Sequence, residues 1–398
     1  MKLLAQHGAL GGERVEEALK SNIIDGVIFG PKDITADNLS ACLTRIRKTD
    51  KDADLLFDPQ FYAATLAAKG ECKLGKLGEG DYDSYFRPRM RSQLEREPAL
   101  IDDISRVLKF QSKLQLTALI SPNIFIPRSF DSIEAVISKN FIRNARAQMS
   151  KLGDKRPLYS TLAISRDALN DKQELQEFLN ELTALDDGPD GYYLLIGGSS
   201  RSEIFHADTI AAWMLINHSL NINGYKVING YSDLMTPFLG AVGGAAGATG
   251  WFGNLRSFSL GRFLPAGGGR LPIPRYLSRR LINRITFTEL DALREQFPKI
   301  LNGLNTDELY DPEVGSEPSR SMEVFQSWQT IQSLNERLAS SDLKTNLKKC
   351  LQAISRARDL YAAIPIALDV KSNEEHIDAL QEGIELFAEL AEIKLPVD

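Results

Sequence analysis

The chain has 398 residues, 43% of them apolar and 25% charged, with a formal net charge of −6. That is enough apolar material for one large domain plus a smaller one. It excludes a membrane span, since no run approaches ~20 apolar residues, and the opening MKLLAQHGALGGERVEE has no apolar stretch of signal-peptide length. Cys42, Cys72 and Cys350 are odd in number and far apart. They predict a reducing cytoplasm, no disulfide frame and no zinc site. Neither a metal nor a cofactor is expected.

In chain order, short apolar runs alternate with amphipathic stretches. The runs cover 3–8, 26–33, 54–61, 116–123, 158–165, 191–200, 225–233 and 244–253, and several end in Gly, Pro, Ser, Asn or Asp, as strand-to-loop junctions do. Helical patterns lie between them, most clearly at 36–47, 101–114, 172–185 and 208–220. Eight strand–helix units in this length predict an α/β fold, a (β/α)8 TIM-type barrel over 1–264, whose usual size is ~250 residues. An open doubly wound sheet is the alternative. Residues 68–100 read as an insertion after the third strand, 265–275 as a Pro/Gly linker, and 276–398 as a purely helical appendage.

Barrel active sites lie at the C-terminal ends of the strands. Those tips offer His7, Asp33, Asp58, Gln60, Ser121, Asn123, Ser165, Arg166, Gly197, Gly198, Glu203, Asn229, Asp233 and Trp251. Asp58 stands out. It ends the apolar run LLF and precedes Pro59, which favours an extended conformation. A carboxylate there is partly desolvated and can serve as base, nucleophile or partner of developing positive charge. The bland reading is a loop aspartate capping a backbone N–H. Asp33 and Asp233 read as helix-start residues. The glycine-rich GAVGGAAGATG (240–250) fits a phosphate cradle or an Ala/Gly packing seam equally well.

Four segments, taken in order, resemble the tRNA-guanine transglycosylase superfamily. GVIFGPKDI resembles its second-strand segment. LLFDPQFY resembles its Asp-Ser-Gly-Gly-Phe segment, with Asp58 on the active-site aspartate. PDGYYLLIGGSSRSE resembles the sixth-strand Gly-Gly segment, which implies base-facing positions for Gly197, Gly198 and Glu203. VINGYSDLMTPFLGAVGGAAGATGWFGNLR resembles the last two strands. The likeness spans about residues 1–262. Three departures follow. The family's nucleophilic aspartate falls near Gly250 and Trp251, its guanine-reading aspartate near Ser121, and its zinc ligands are absent. The resemblance therefore implies a non-guanine base and hydrolysis instead of covalent exchange. One carboxylate suffices to stabilise an oxocarbenium-like state and orient water. The expected activity is a nucleobase-removing glycosylase that leaves an abasic site, with DNA favoured over RNA. For members acting on DNA the resemblance suggests genome-modification or anti-phage roles. Base exchange on tRNA or DNA, a non-catalytic nucleic-acid-binding barrel, and a small-molecule enzyme remain alternatives.

One tract bears on the partner. Between Asp233 and Glu289 there is no acid, while Arg256, Arg262, Arg270, Arg275, Arg279, Arg280 and Arg284 all occur there. Phosphate backbones repel acids and take bidentate arginine contacts. The tract is expected to line a bound strand, with Arg87, Arg89 and Arg91 of the insertion on the opposite bank and Tyr82, Tyr85 and Phe86 stacking or wedging. A duplex base would have to flip, sandwiched by Tyr62, Trp251 or Phe252, with Gln60, Ser121 and Asn123 also lining the base pocket. The bland alternative is that these arginines pair with acids of the C-terminal helices and that 234–255 is buried barrel.

Overall fold

The computed structural model describes residues 1–70, 72–198, 205–265, 273–310, 318–340 and 342–395. The parallel strands are β1 (Lys2–Gln6), β2 (Gly26–Phe29), β3 (Asp54–Phe57), β4 (Leu119–Ser121), β5 (Phe125–Ile126), β6 (Leu158–Ser165), β7 (Gly191–Gly197), β8 (Lys226–Asn229) and β9 (Ala246–Thr249). They run β3-β2-β1-β9-β8-β7-β6-β4 around one sheet, with β5 also on β6. β4 and β5 are two halves of one barrel strand. Leu119 pairs with Leu158 and Phe125 with Ala163, so six steps on one side match five on the other. The extra residue is a bulge at Pro122–Ile124, where Pro122 has no N–H to donate. The two ends of the sheet meet through Thr117, whose N–H donates to the Leu55 carbonyl at 2.8 Å and whose Oγ1 accepts from Leu55 N–H at 3.0 Å. The result is a nearly closed (β/α)8 barrel with a helical C-terminal part.

The covering helices follow from local chemistry. The helix Ala36–Thr49 starts where Thr35 Oγ1 accepts from Asn38 N–H, and it buries Leu39, Leu43 and Ile46, a four-then-three spacing on one face. The helix Ala207–Ile222 is apolar nearly all round, because the barrel holds one side and the C-terminal helix Glu375–Leu390 the other. Gly383 permits that contact: a Cβ there would sit 2.6 Å from Ile210.

Two parts differ from the sequence reading. In the segment read as an insertion after the third strand, Tyr82 and Tyr85 are fully buried against Phe57 and Phe110, and Phe86 is 5% exposed. These rings extend the core and are not available to wedge a nucleic acid. The chain after the barrel is not purely helical. It opens with an antiparallel hairpin, β10 (Arg275–Ser278) and β11 (Asn283–Thr286), before the helices Phe287–Arg294, Arg320–Leu338, Leu343–Ala363 and Glu375–Leu390. The pattern Tyr276, Leu277, then Ile285, Thr286 carries strand propensity that the surrounding charges masked. Most of the expected linker, 266–272, lies outside the described residues. Among the described residues no helix is long and apolar enough to cross a membrane.

Candidate functional site

The β3 tip turns sharply. Gln60 adopts a left-handed backbone (φ 52°), and its N–H donates to Asp58 Oδ1 at 2.9 Å. The turn brings Tyr62 back so that its hydroxyl donates to Asp58 Oδ2 at 2.9 Å. From β7, across the barrel, the Tyr193 hydroxyl reaches the same oxygen at 3.3 Å. Asp58 is 0% exposed. Burial pushes its carboxyl up to about 6, against the Gln60 and Tyr62 hydrogen bonds, the Arg262 charge and the Tyr193 hydroxyl, which pull it down.

Arg262 brings a buried cation beside this carboxylate. It donates to Asp33 Oδ2 at 2.8 Å and to the Tyr231 hydroxyl. Its guanidinium lies 5.4 Å from the Tyr231 ring and 5.5 Å from the Phe263 ring, with 2% of the side chain exposed. Burial raises the Asp33 carboxyl, opposed by the charges of Arg262 and Lys32. Tyr231 itself holds a left-handed backbone, φ 54°, a strained choice for an aromatic residue.

The chain leaving β9 folds back over the mouth. Phe258 forms a bridge with Gly197, and its carbonyl accepts from Gly198 N–H at 3.3 Å. Its ring sits 5.1 Å from Tyr62, 5.7 Å from Tyr231 and 6.2 Å from Phe125. The Phe263 carbonyl accepts from Lys73 N–H at 2.7 Å. This strap, 252–264, seals the carboxylate from solvent. Around the strand tips several buried polar atoms have no hydrogen-bond partner: both amide atoms of Gln6, His7 Nδ1 and Arg262 Nε. His7 lies between Phe29 and Trp251, and burial lowers its pKa to about 4, so it is neutral at pH 7. Unpartnered buried polar groups are costly where they serve no ligand.

Of the expected base-pocket residues, Asp58, Gln60 and Tyr62 come together, and Gly197 and Gly198 meet the strap. Ser121 is used by Ser160 and Thr161. Asn123 is satisfied by Ser138 and the Thr161 carbonyl at the strand bulge. Trp251 is a packing residue, with its N–H on the Ala9 carbonyl and its ring against His7 and Trp328. Glu203 lies outside the described residues. Asn229 is held by Trp213 and Asn217, and Asp233 by Arg284. The glycine-rich stretch is a packing seam: a Cβ on Gly247 would meet Thr236 at 2.5 Å, and one on Gly250 the Gln6 carbonyl oxygen at 2.5 Å.

The expected arginine path is largely used up inside the protein. Arg256 donates to Glu323 and the Gly250 carbonyl, Arg275 to Asp369 and Ser372, and Arg279 to Ser333 and the Asn302 carbonyl. Arg284 makes a bidentate pair with Asp233 at 2.6 and 2.8 Å. In the insertion Arg89 grips Asp103 and Arg91 pairs with Glu95 and Glu134. Arg87 and Arg280 are exposed, and Arg270 lies outside the described residues. The physical reason for much of the acid-free tract is therefore pairing at a distance in sequence: Arg256, Arg262, Arg275 and Arg284 meet Glu323, Asp33, Asp369 and Asp233.

Sequence reasoning missed Tyr193, Tyr231, Asp33 as the partner of Arg262, and Phe258. The tyrosines sit in apolar strand text, where a hydroxyl carries no periodic signal. Among the described residues no group of three His, Cys, Asp or Glu side chains is placed to hold a metal. No family model matches the chain, and no curated protein matches it. Among solved structures it is similar to a glycoside hydrolase family 3 β-N-acetylglucosaminidase from Paenibacillus sp. str. FPU-7, at 8% identity and a TM-score of 0.42, covering 98% of this chain and 67% of that one. A likeness at that level says nothing about the reaction.

Proposed function

We propose that the chain hydrolyses an N-glycosidic bond between a nucleobase other than guanine and its sugar, with Asp58 as the single carboxyl group. One observation carries the reading: a fully buried carboxylate at a barrel strand tip, held by Tyr62, Tyr193 and the Gln60 N–H and pushed up to about 6. At pH 7 most of it is ionised. A desolvated anion interacts strongly with a cation brought beside it, so it stabilises the oxocarbenium-like sugar as the bond to the base breaks. Water then adds its oxygen to C1′, and the base leaves with a proton. The three donors fix both carboxylate oxygens, so little reorganisation is needed. Entry requires the Phe258 strap to lift, as lids do in other enzymes.

The base is held in DNA on the strength of the resemblance of the four segments to the transglycosylase superfamily, and an anti-phage role follows from the same source. A second reading is a free nucleoside as substrate. The internal pairing of Arg256, Arg262, Arg275 and Arg284 favours it, because those side chains no longer offer a phosphate path. Mass spectrometry of bases released from natural and modified DNA, RNA and free nucleosides separates the two. Release from DNA alone supports the first reading, release from nucleosides alone supports the second, and no release from any of them refutes both.

A further inference from the structure

The C-terminal part holds a second feature that the barrel chemistry does not use. A cleft of about 480 Å³ opens between the β10–β11 turn and the helices Arg320–Leu338 and Leu343–Ala363. Among the described residues Arg279, Arg280, Arg337, Lys349 and Arg356 line it, with Asp359 as the one acid. Five cations against one carboxylate leave a formal +4. Leu334, Leu338 and Leu360 supply apolar wall.

These cations differ from the other arginines of the acid-free tract. Arg256, Arg262, Arg275 and Arg284 each have a carboxylate partner. Arg280, Arg337 and Arg356 make no ion pair with an acid among the described residues. Arg279 donates to Ser333 and Asn302, yet its Nε is buried with no partner. Burial lowers the Arg279 pKa, and the neighbouring charges of Arg337 and Arg280 lower it further. Attraction to a helix C-terminus accounts for two of the five. Arg337 sits in the last turn of its helix, and Lys349 donates to the Ala339 carbonyl at 3.2 Å. It does not account for Arg280, which comes from the hairpin turn, or Arg356, which lies well inside its helix.

We propose that this cleft binds a compact organic phosphate of about nucleotide size. Several guanidinium groups from three elements converge there, and guanidinium is the side chain suited to phosphoryl oxygens. The volume falls in the range of small-molecule sites, about 300–1,000 Å³, and the leucines suit an apolar or aromatic body beside the phosphate. A polynucleotide would need cations leading away from the cleft, and the tract's nearest arginines are already paired. The site is separate from the barrel mouth. Glu323 on the same helix pairs with Arg256, which donates to the carbonyl of Gly250 at the β9 tip. Arg337 lies 14 residues further on (337 − 323), about 21 Å along the axis at 1.5 Å per residue.

The test is calorimetric titration of the full chain at low salt with pyrophosphate and with ATP, no metal added, and with sulfate at matched ionic strength as control. The expected result is saturable binding of ATP and pyrophosphate and much weaker binding of sulfate. Arg337→Gln and Arg356→Gln should each weaken it about tenfold or more, with melting temperature unchanged because both side chains are exposed. Asp359→Asn should tighten it, a gain that damage to the fold does not produce. Asp58→Asn should bind as wild type does, so this site and the barrel reaction succeed or fail independently. The proposal is overturned by no binding, by equal binding of sulfate, by variants that bind like wild type, or by a single-stranded oligonucleotide whose affinity grows with length while ATP fails to compete.

Discussion

Tyr62 and Asp58 stand four residues apart, and the left-handed turn at Gln60 brings the tyrosine hydroxyl to 2.9 Å from Asp58 Oδ2. A donor to the ionised form favours that form. Replacing Tyr62 with Phe should therefore move the Asp58 carboxyl above about 6, by roughly one pH unit if the bond contributes about 1.4 kcal/mol. If ionised Asp58 drives the reaction, the acid limb of the pH–rate profile shifts upward with it. A Tyr62→Phe enzyme whose acid limb stays in place contradicts this assignment.

Burial of Asp58 also links stability to pH. Its folded pKa is raised from 3.8 to about 6, so the folded state holds the proton more tightly than the unfolded chain. The cost of the buried charge is absent below about 3.8, grows between about 4 and 6 as the unfolded carboxyl ionises while the folded one keeps its proton, and is complete above about 6. About two pH units correspond to roughly 3 kcal/mol, to order of magnitude. His7 titrates in the opposite sense, since burial lowers its pKa to about 4, and it cancels in a comparison at constant His7. Asp58→Asn should thus gain melting temperature relative to wild type as pH rises from 4 to 7. A difference independent of pH excludes a raised Asp58.

Arg284 is a buried structural cation. Both of its terminal nitrogens contact Asp233, and 2% of the side chain is exposed. Removing one partner of such a pair leaves a buried unpaired charge and costs about 3–5 kcal/mol. Arg284→Met should lower the melting temperature strongly, and adding Asp233→Asn should recover part of the loss. An Arg284→Met protein of wild-type stability that binds nucleic acid less well would restore the backbone-contact reading of this residue.

Phe258 holds the strap in place. Phe258→Ala removes its contacts with Tyr62 and Tyr231 and should cost about 3–5 kcal/mol if the strap cannot collapse into the space. Amide exchange at Gly198, whose N–H is bonded to the Phe258 carbonyl, should speed up while exchange in β1 and β2 stays slow. Uniform acceleration would mean that the strap and the barrel open as one unit.

The barrel was legible because its strands are apolar runs at regular spacing. Asp58 was legible because it ends such a run, just before a proline, at the end of the barrel where sites form. The hairpin β10–β11 was not, since its alternating residues are masked by Arg275, Arg279, Arg280 and Arg284. Arg275 and Arg284 misled for the same reason: charge pattern along a chain shows where acids are missing, not which acids fold back to meet them. Asp33 lies 229 residues before Arg262 and Asp369 94 after Arg275, separations that local pattern does not encode. Tyr193 was hidden because its hydroxyl works across the barrel from an otherwise apolar strand.

In the proposed mechanism Asp58 supplies the catalytic charge. The decisive measurement is the single-turnover rate of base release by Asp58→Asn against wild type, on whichever substrate of the panel is cleaved. The expected outcome is a folded variant with a rate at least a hundredfold lower, a loss of about 2.7 kcal/mol or more of transition-state stabilisation. A folded Asp58→Asn protein that keeps more than about a tenth of the wild-type rate, a difference under roughly 1.4 kcal/mol, contradicts that role for Asp58.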